Sequence, residues 1–336
     1  MSNAALKISG LIIFLSISAI GMAQKNDKVF LKNGDVITGE IKSLKFAKLS
    51  FDMSGPGTID IKWEFIIKIN SDKTFQVTLQ KGEILITKLD SLFFNSKQIT
   101  LNDIVEIVQI KDRFLERLDG DINLGFNYAK SNSNLQFNFK STITYRKPKE
   151  ETTFKLNSVI TSNSSDTLNS KKQDATLDYF RKLKNSFYLN GLFAWQQNTE
   201  LGLQSRFQVN IGGGKILISN NHRRFLTGLG LSYNEEQSTG NSIYKGNLEG
   251  VIGIEFKEFR YSTPKVSIDS KLLLYPGLSD WGRFRMDLHV SSKVEIFKDF
   301  NVGLSLYDIY DNRPPAGASS KNDFGVNFTV GYEFGK

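Results

Sequence analysis

The chain has 336 residues, a formal net charge of +8, 26 Phe, 6 Pro, 2 His and no Cys. Without cysteine there is no disulfide framework, so an exported chain of this kind must draw its stability from sheets and burial. A mean hydropathy of −0.27 and the lack of a long apolar run beyond the N-terminus exclude a helical membrane protein. They do not exclude a barrel, in which only alternate strand residues meet lipid.

The N-terminus reads as a secretory signal over residues 1–23. Lys7 is followed by the uncharged, mostly apolar run Ile8 to Ile20, and then by the small-x-small site Gly21-Met22-Ala23. Cleavage would leave Gln24 first, and no Cys follows to carry a lipid. Export removes nucleic acid from the partners that the positive charge would otherwise suggest.

Residues 24–116 read as short strands and tight turns. Val29 to Ile37 is a hairpin around Asn33-Gly34, a dipeptide that tolerates the positive φ of a tight turn. Strands follow at Lys48 to Asp52, Thr58 to Trp63 and Ile66 to Ile69. The pattern then recurs: Val77 to Ile84 matches the first hairpin, with Gly82 on Gly34 and Leu79 on Leu31, and Leu101 to Ile107 pairs with Trp63 to Ile69. Two small five-stranded barrels of the SH3-like or Sm-like kind are predicted in tandem. Each is short enough to be marginal alone, so they should pack together. Trp63, Phe65, Phe93 and Phe94 are expected in their cores, and the unit as a periplasmic adaptor.

Residues 117–336 alternate with period two through twelve candidate strands. The last is the cleanest, with Phe324, Val326, Phe328, Val330, Tyr332 and Phe334 on one face. The fourth, around Ala175, Leu177 and Tyr179, is the weakest. One set of connections is mostly short and basic: Arg146 to Lys149, Arg181 to Asn185, Ser219 to Arg224, Lys257 to Lys265 and Phe297 to Asp299. The other includes long polar loops at Asn163 to Asp174, Asn234 to Ser242 and Asp311 to Asp323. An even strand count, short turns on one side and long loops on the other predict an all-β chain: a 12-stranded antiparallel transmembrane β-barrel behind the two small barrels. The expected place is the outer membrane of a Gram-negative bacterium, with residues 24–116 periplasmic.

Arg181 to Asn198 (Arg-Lys-Leu-Lys-Asn-Ser-Phe-Tyr-Leu-Asn-Gly-Leu-Phe-Ala-Trp-Gln-Gln-Asn), then Gly212 to Leu217 (Gly-Gly-Gly-Lys-Ile-Leu) and Leu226 to Tyr233 (Leu-Thr-Gly-Leu-Gly-Leu-Ser-Tyr), resemble the core of the salt-induced outer-membrane protein family, defined as a domain of unknown function. Leu31 to Asp35, Gly39 to Ile41 and Ile61 to Trp63 are similar to the part that precedes the barrel in longer members. The resemblance implies an outer-membrane barrel and brings no catalytic or binding residues with it. Its link to salt or osmotic stress is the family's name alone.

The face opposite the apolar series holds Lys140, Lys155, Asp178, Arg206, Glu249, Glu255, Asp269, Lys271, Arg285, Asp287 and Glu333. A Lys or Arg facing lipid at mid-depth would cost about 2–4 kcal/mol, so these residues are expected in the lumen. Their near balance of sign predicts cross-strand pairing, with Glu249, Asp269, Lys271, Arg285 and Asp287 meeting, and a narrow lumen of little selectivity. Trp195, Tyr233, Tyr332 and Phe334 are expected as membrane-interface aromatics. A serine-hydrolase site would need one of the two histidines, and His222 falls in a turn while His289 faces the lumen. Gly212-Gly213-Gly214 follows a strand but precedes no helix, so it is no phosphate loop. No cofactor and no metal is expected. The expected partners are outer-membrane lipid, the barrel-assembly machinery and an envelope or cell-wall partner for residues 24–116. A sealed, non-enzymatic barrel is the leading reading, a solute or ion pore the second and an enzyme the third.

Overall fold

The computed structural model describes residues 25–90, 94, 98–129, 134–163, 170–199, 203–238, 244–262, 264–297, 299–313 and 321–332. The expected signal segment, Phe93, Glu333 and Phe334 lie outside them. Among the described residues no helix is long and apolar enough to cross a membrane.

The N-terminal unit contains β1 (Asp27–Leu31), β2 (Val36–Lys45), β3 (Lys48–Met53), β4 (Gly57–Lys62), β5 (Ile66–Leu79), β6 (Ile84–Leu89) and β7 (Ile104–Gln109). The internal repeat is visible atom by atom. Gly34 N donates to Leu31 O at 3.0 Å, and Gly82 N to Leu79 O at 2.8 Å. Both glycines have positive φ, 92° and 78°, which the reversal requires. Lys32 N donates to Phe65 O, and Gln80 N to Asp103 O, each at 2.9 Å.

The two copies do not close into two separate barrels. The expected strand at Ile66 to Ile69 does not end there, and β5 runs on through Asn70-Ser71-Asp72-Lys73 into the second copy. Ser71 Oγ donates to Asp27 Oδ1 at 2.6 Å, and the chain passes a bulge between Ser71 and Thr74. The first half of β5 pairs with β1 and the second half with β6 and β7. Since β1 also pairs with β2 and β2 with β7, four strands close on themselves. A single core of Val29, Ile41, Leu44, Phe51, Phe75 and Ile107 serves both copies. Sharing it answers the marginal size of each half. Trp63 is buried as expected, its Nε1 donating to Leu101 O at 2.9 Å, and Phe94 packs against the core. Phe65 is exposed instead, with the Lys62 ammonium over its ring.

The second part is one antiparallel sheet of twelve strands: β8 (Leu118–Ala129), β9 (Asn134–Lys147), β10 (Glu150–Asn163), β11 (Ser170–Lys182), β12 (Phe187–Asn198), β13 (Leu203–Ser219), β14 (Arg223–Ser238), β15 (Lys245–Arg260), β16 (Val266–Pro276), β17 (Phe284–Phe297), β18 (Phe300–Asp311) and β19 (Asn322–Tyr332). Each pairs with its chain neighbours, the simplest barrel connectivity. Among the described residues no ladder joins β19 to β8, and both edge strands are largely exposed.

Several strands outrun their apolar stretches, because ladder hydrogen bonding does not depend on the side chain. β11, the weakest by sequence, pairs with β10 from Arg181 to Ser170, so that Ser170 to Asp174 of the expected loop belong to the sheet. β14 continues to Ser238 through Asn234 and Glu236, and β15 takes Lys257 to Arg260 from the expected turn.

Candidate functional site

The wall has two chemically distinct faces. Leu124, Phe126, Leu177, Phe193, Leu229 and Phe328 all point outward and are exposed. Trp195 and Tyr233 lie on that face toward the loop end, and Tyr332 toward the turn end. Trp195 Nε1 donates to Ser205 Oγ at 3.1 Å, which satisfies its polar tip.

The inner face carries the described charges expected in the lumen. In the loop-side half they are paired. Glu249 is 1 % exposed and takes a two-pronged interaction from Arg285, with Nε on Oε1 at 2.8 Å and the second nitrogen on Oε2. Asn234 Nδ2 donates to Glu249 Oε2 at 3.1 Å, and Asn247 Nδ2 to Asn234 Oδ1 at 3.3 Å. The Arg285 guanidinium also lies over the Tyr275 ring at 4.7 Å. Arg206 pairs with Glu236 at 3.1 Å and Arg283 with Asp311 at 2.6 Å. Glu236, Arg283 and Asp311 were outside the predicted lumen set, because their stretches read as loop.

The five expected to meet do so only in part. Glu249 and Arg285 join. Asp269 pairs with Lys257 at 2.7 Å, and Asp287 with His289 at 2.9 Å. Lys271 stands opposite Glu255 in register, yet no described carboxylate reaches ion-pair distance of it. Glu255 leans to Lys257 at 3.9 Å, and Lys155 meets Asp178 at 3.5 Å. Lys140 is on the same face without a described ion pair.

The turn-side end is covered by the N-terminal unit, and four of the turns grouped above as short and basic touch it, those at Arg146 to Lys149, Arg181 to Asn185, Ser219 to Arg224 and Lys257 to Lys265. Lys182 pairs with Glu106, Lys45 with Glu151 at 3.1 Å, and Arg146 with the same Glu151 at 3.0 Å. Asn221 Nδ2 donates to Asn102 O at 3.1 Å, and Tyr261 Oη to Phe46 O at 2.9 Å. The Glu106 carboxyl is pushed up by burial and down by the ammonium groups of Lys182 and Lys45; the cations win, leaving it below its ordinary value.

The β2–β3 turn meets the barrel at Phe259 and Tyr261. Phe46 and Ala47 form a two-residue reversal with φ of 50° and 53°, a costly region for a bulky side chain. Packing holds it there. The Phe46 ring meets Phe259 edge-on at 5.4 Å, with Lys257 at 5.4 Å and Arg224 at 5.9 Å over its face. Phe259, a barrel residue, is 6 % exposed and belongs to the small unit's core. No periodicity in the sequence could have signalled this contact.

The glycine run has a packing role. Gly214 and Gly228 face inward on paired positions of β13 and β14. A Cβ at either would come within 2.6 Å of the Tyr188 hydroxyl. Tyr188 lies across this strip, stacks on Phe180 at 5.2 Å and donates to Thr227 O at 3.2 Å. An aromatic over inner-face glycines lets the wall bend without a void.

A family model described as a protein of unknown function, DUF481, matches residues 122–334, and no curated protein and no solved structure matches the chain. The architecture is thus that of an all-β barrel protein with its own N-terminal cap. The match covers more than half of the chain and nearly all of the twelve-stranded sheet, and the chain belongs to this family.

Proposed function

We propose that the chain is a non-enzymatic outer-membrane β-barrel of a Gram-negative envelope, with a narrow charged lumen and a periplasmic mouth capped by its own N-terminal unit. The observation that carries the reading is the outer wall. An apolar surface of this extent is unstable in water and suited to lipid, and Lys140, Lys155, Asp178, Glu255, Lys271 and Asp287 lie in register on the opposite face. The cap sits at the short-turn end, which is the periplasmic end in barrels of this kind. The cap also exposes Val36, Ile67 and Ile86, which suits contact with an envelope or cell-wall partner. Outer-membrane lipid and the barrel-assembly machinery are the remaining partners of this reading. A hydrolytic role is disfavoured by the histidines. His222 lies in the β13–β14 turn, and beside the Asp287–His289 pair Ser291 Oγ meets Ser305 Oγ at 3.4 Å.

The test is conductance of the full chain in a planar bilayer. Small or undetectable steps are expected. Glu106→Lys, which sets a cation against Lys182 and Lys45, should loosen the cap and reveal larger steps. Large, strongly anion-selective channels from the unaltered chain would favour the solute-pore reading instead. In intact cells, added proteinase should spare the cap, and cleavage near Ser71 would invert the topology. A link to osmotic stress predicts slower growth at high salt for cells lacking the chain.

A further inference from the structure

Between the cap and the barrel wall lies a chamber of about 880 Å³. Pockets for small molecules span about 300–1,000 Å³, so this volume is in their range. Nine Lys and Arg residues line it against five carboxylates, unlike the balanced pairs of the loop-side half. Subtracting partners sharpens the asymmetry. Glu106, Glu151, Asp178 and Glu255 are each engaged by a chamber cation. Arg224 and Lys271 reach no described carboxylate, and both line the chamber. Arg224 is half-buried and lies against the Phe46 ring; it acts on the Glu106 carboxyl only from beyond ion-pair distance, so its positive charge has lost part of its water without a directly bonded acid. Phe46, Phe180 and Tyr188 supply flat apolar surface beside these cations, and Asn190, Gln208 and Asn210 supply neutral polar groups on the adjoining wall.

We infer that this chamber is a binding site for a small organic anion, an apolar or aromatic body bearing a phosphate, sulfate or carboxylate group. Arg224 and Lys271 take the anionic group and the aromatic side chains take the body. Charged hydrogen bonds to Arg and Lys are the strong ones, and a partly desolvated guanidinium gains most from them. The site rests on the capped mouth proposed above, which the conductance traces report separately.

Titration calorimetry of the full chain in a zwitterionic detergent tests it, with phenyl phosphate as probe. One saturable site is expected for phenyl phosphate, weaker binding for inorganic phosphate, and none for benzyl alcohol or benzyltrimethylammonium. Arg224→Gln and Lys271→Gln should each weaken phenyl phosphate by about tenfold or more. Lys81→Gln, in an exposed turn of the cap, should leave it unchanged. Unheated electrophoresis shows which variants keep the barrel folded, and if Arg224→Gln does not, Lys271→Gln decides. A closed, non-conducting chain with no saturable heat at millimolar phenyl phosphate would overturn the inference and leave the capped barrel standing. Equal binding of the cationic or neutral probe, or an equal loss in Lys81→Gln, would overturn it as well.

Discussion

Arg285→Ala should be among the most costly single changes in the barrel wall. Glu249 is 1 % exposed and takes two of its hydrogen bonds from Arg285, with Asn234 the third donor. Removing one partner of a buried pair costs about 3–5 kcal/mol, because the other charge stays buried without compensation. The Arg285 side chain is 23 % exposed and Asn234 remains in place, so the lower end, about 3 kcal/mol, is expected. Urea titration of the protein folded into lipid vesicles measures it. The double variant Glu249→Gln with Arg285→Leu separates pairing from packing. With both charges gone the desolvation penalty also disappears, and most of the loss should be recovered. In bilayers, Arg285→Ala should also shift any residual leak toward cations, since the freed carboxylate faces the lumen. A loss below about 1 kcal/mol for Arg285→Ala, or a double variant no better than the single one, would refute the reasoning.

Leu304 is outward in the middle of β18 and Ser305 inward beside Ser291. Leu304→Arg should therefore weaken folding in vesicles by about 2–4 kcal/mol and Ser305→Arg by less, and equal losses would count against the assigned faces. Gly228→Ala places a Cβ 2.5 Å from the Tyr188 hydroxyl and should cost about 1–3 kcal/mol in the same assay, partly regained when Tyr188→Ala is added. In the cap, burial raises the Glu40 carboxyl while hydrogen bonds from Lys42 and Lys73 lower it further, from 4.5 to about 2. A depressed carboxyl stabilises fully above its unfolded value near 4.5 and loses that contribution as pH falls toward 2. Glu40→Gln should remove about 3 kcal/mol at neutral pH and flatten the acid limb, read from amide exchange of the cap; an unchanged limb would sink the assignment.

The faces of the barrel were legible in the sequence because alternation is a local signal. Phe324 to Tyr332 announce their side two residues at a time, and the charged positions from Lys140 to Asp287 fall on the opposite side as that requires. Strand ends were not legible, because Asn234, Glu236 and Lys257 are polar yet continue the ladder through their backbones. The repeat around Gly34 and Gly82 was read correctly, but its closure depends on which strand β5 pairs with along its length. That choice is made by a shared core and by a buried Ser71–Asp27 hydrogen bond between distant residues. Lys45–Glu151 and Phe46–Phe259 join residues more than a hundred positions apart and follow no period.

The two ends of the lumen are governed by different chemistry, and this alters what the charge count means. Counted along the predicted strands, acids and bases nearly cancel, and cancellation implies pairing. That holds in the loop-side half, where Glu249, Glu236 and Asp311 each have an arginine from the wall itself. It does not hold in the turn-side half, where Lys182, Arg224 and Lys257 look like turn residues by sequence but line the interior. Their partners, where they have them, come partly from another unit: Glu106 from the cap, the Phe46 ring from its strained turn. A cation whose counter-charge arrives with a second domain is left in excess wherever that domain brings a carbonyl or a ring instead of an acid. The positive excess at the turn-side end therefore follows from the way the cap is seated. An anion entering the chamber and the cap closing the mouth answer the same set of basic side chains.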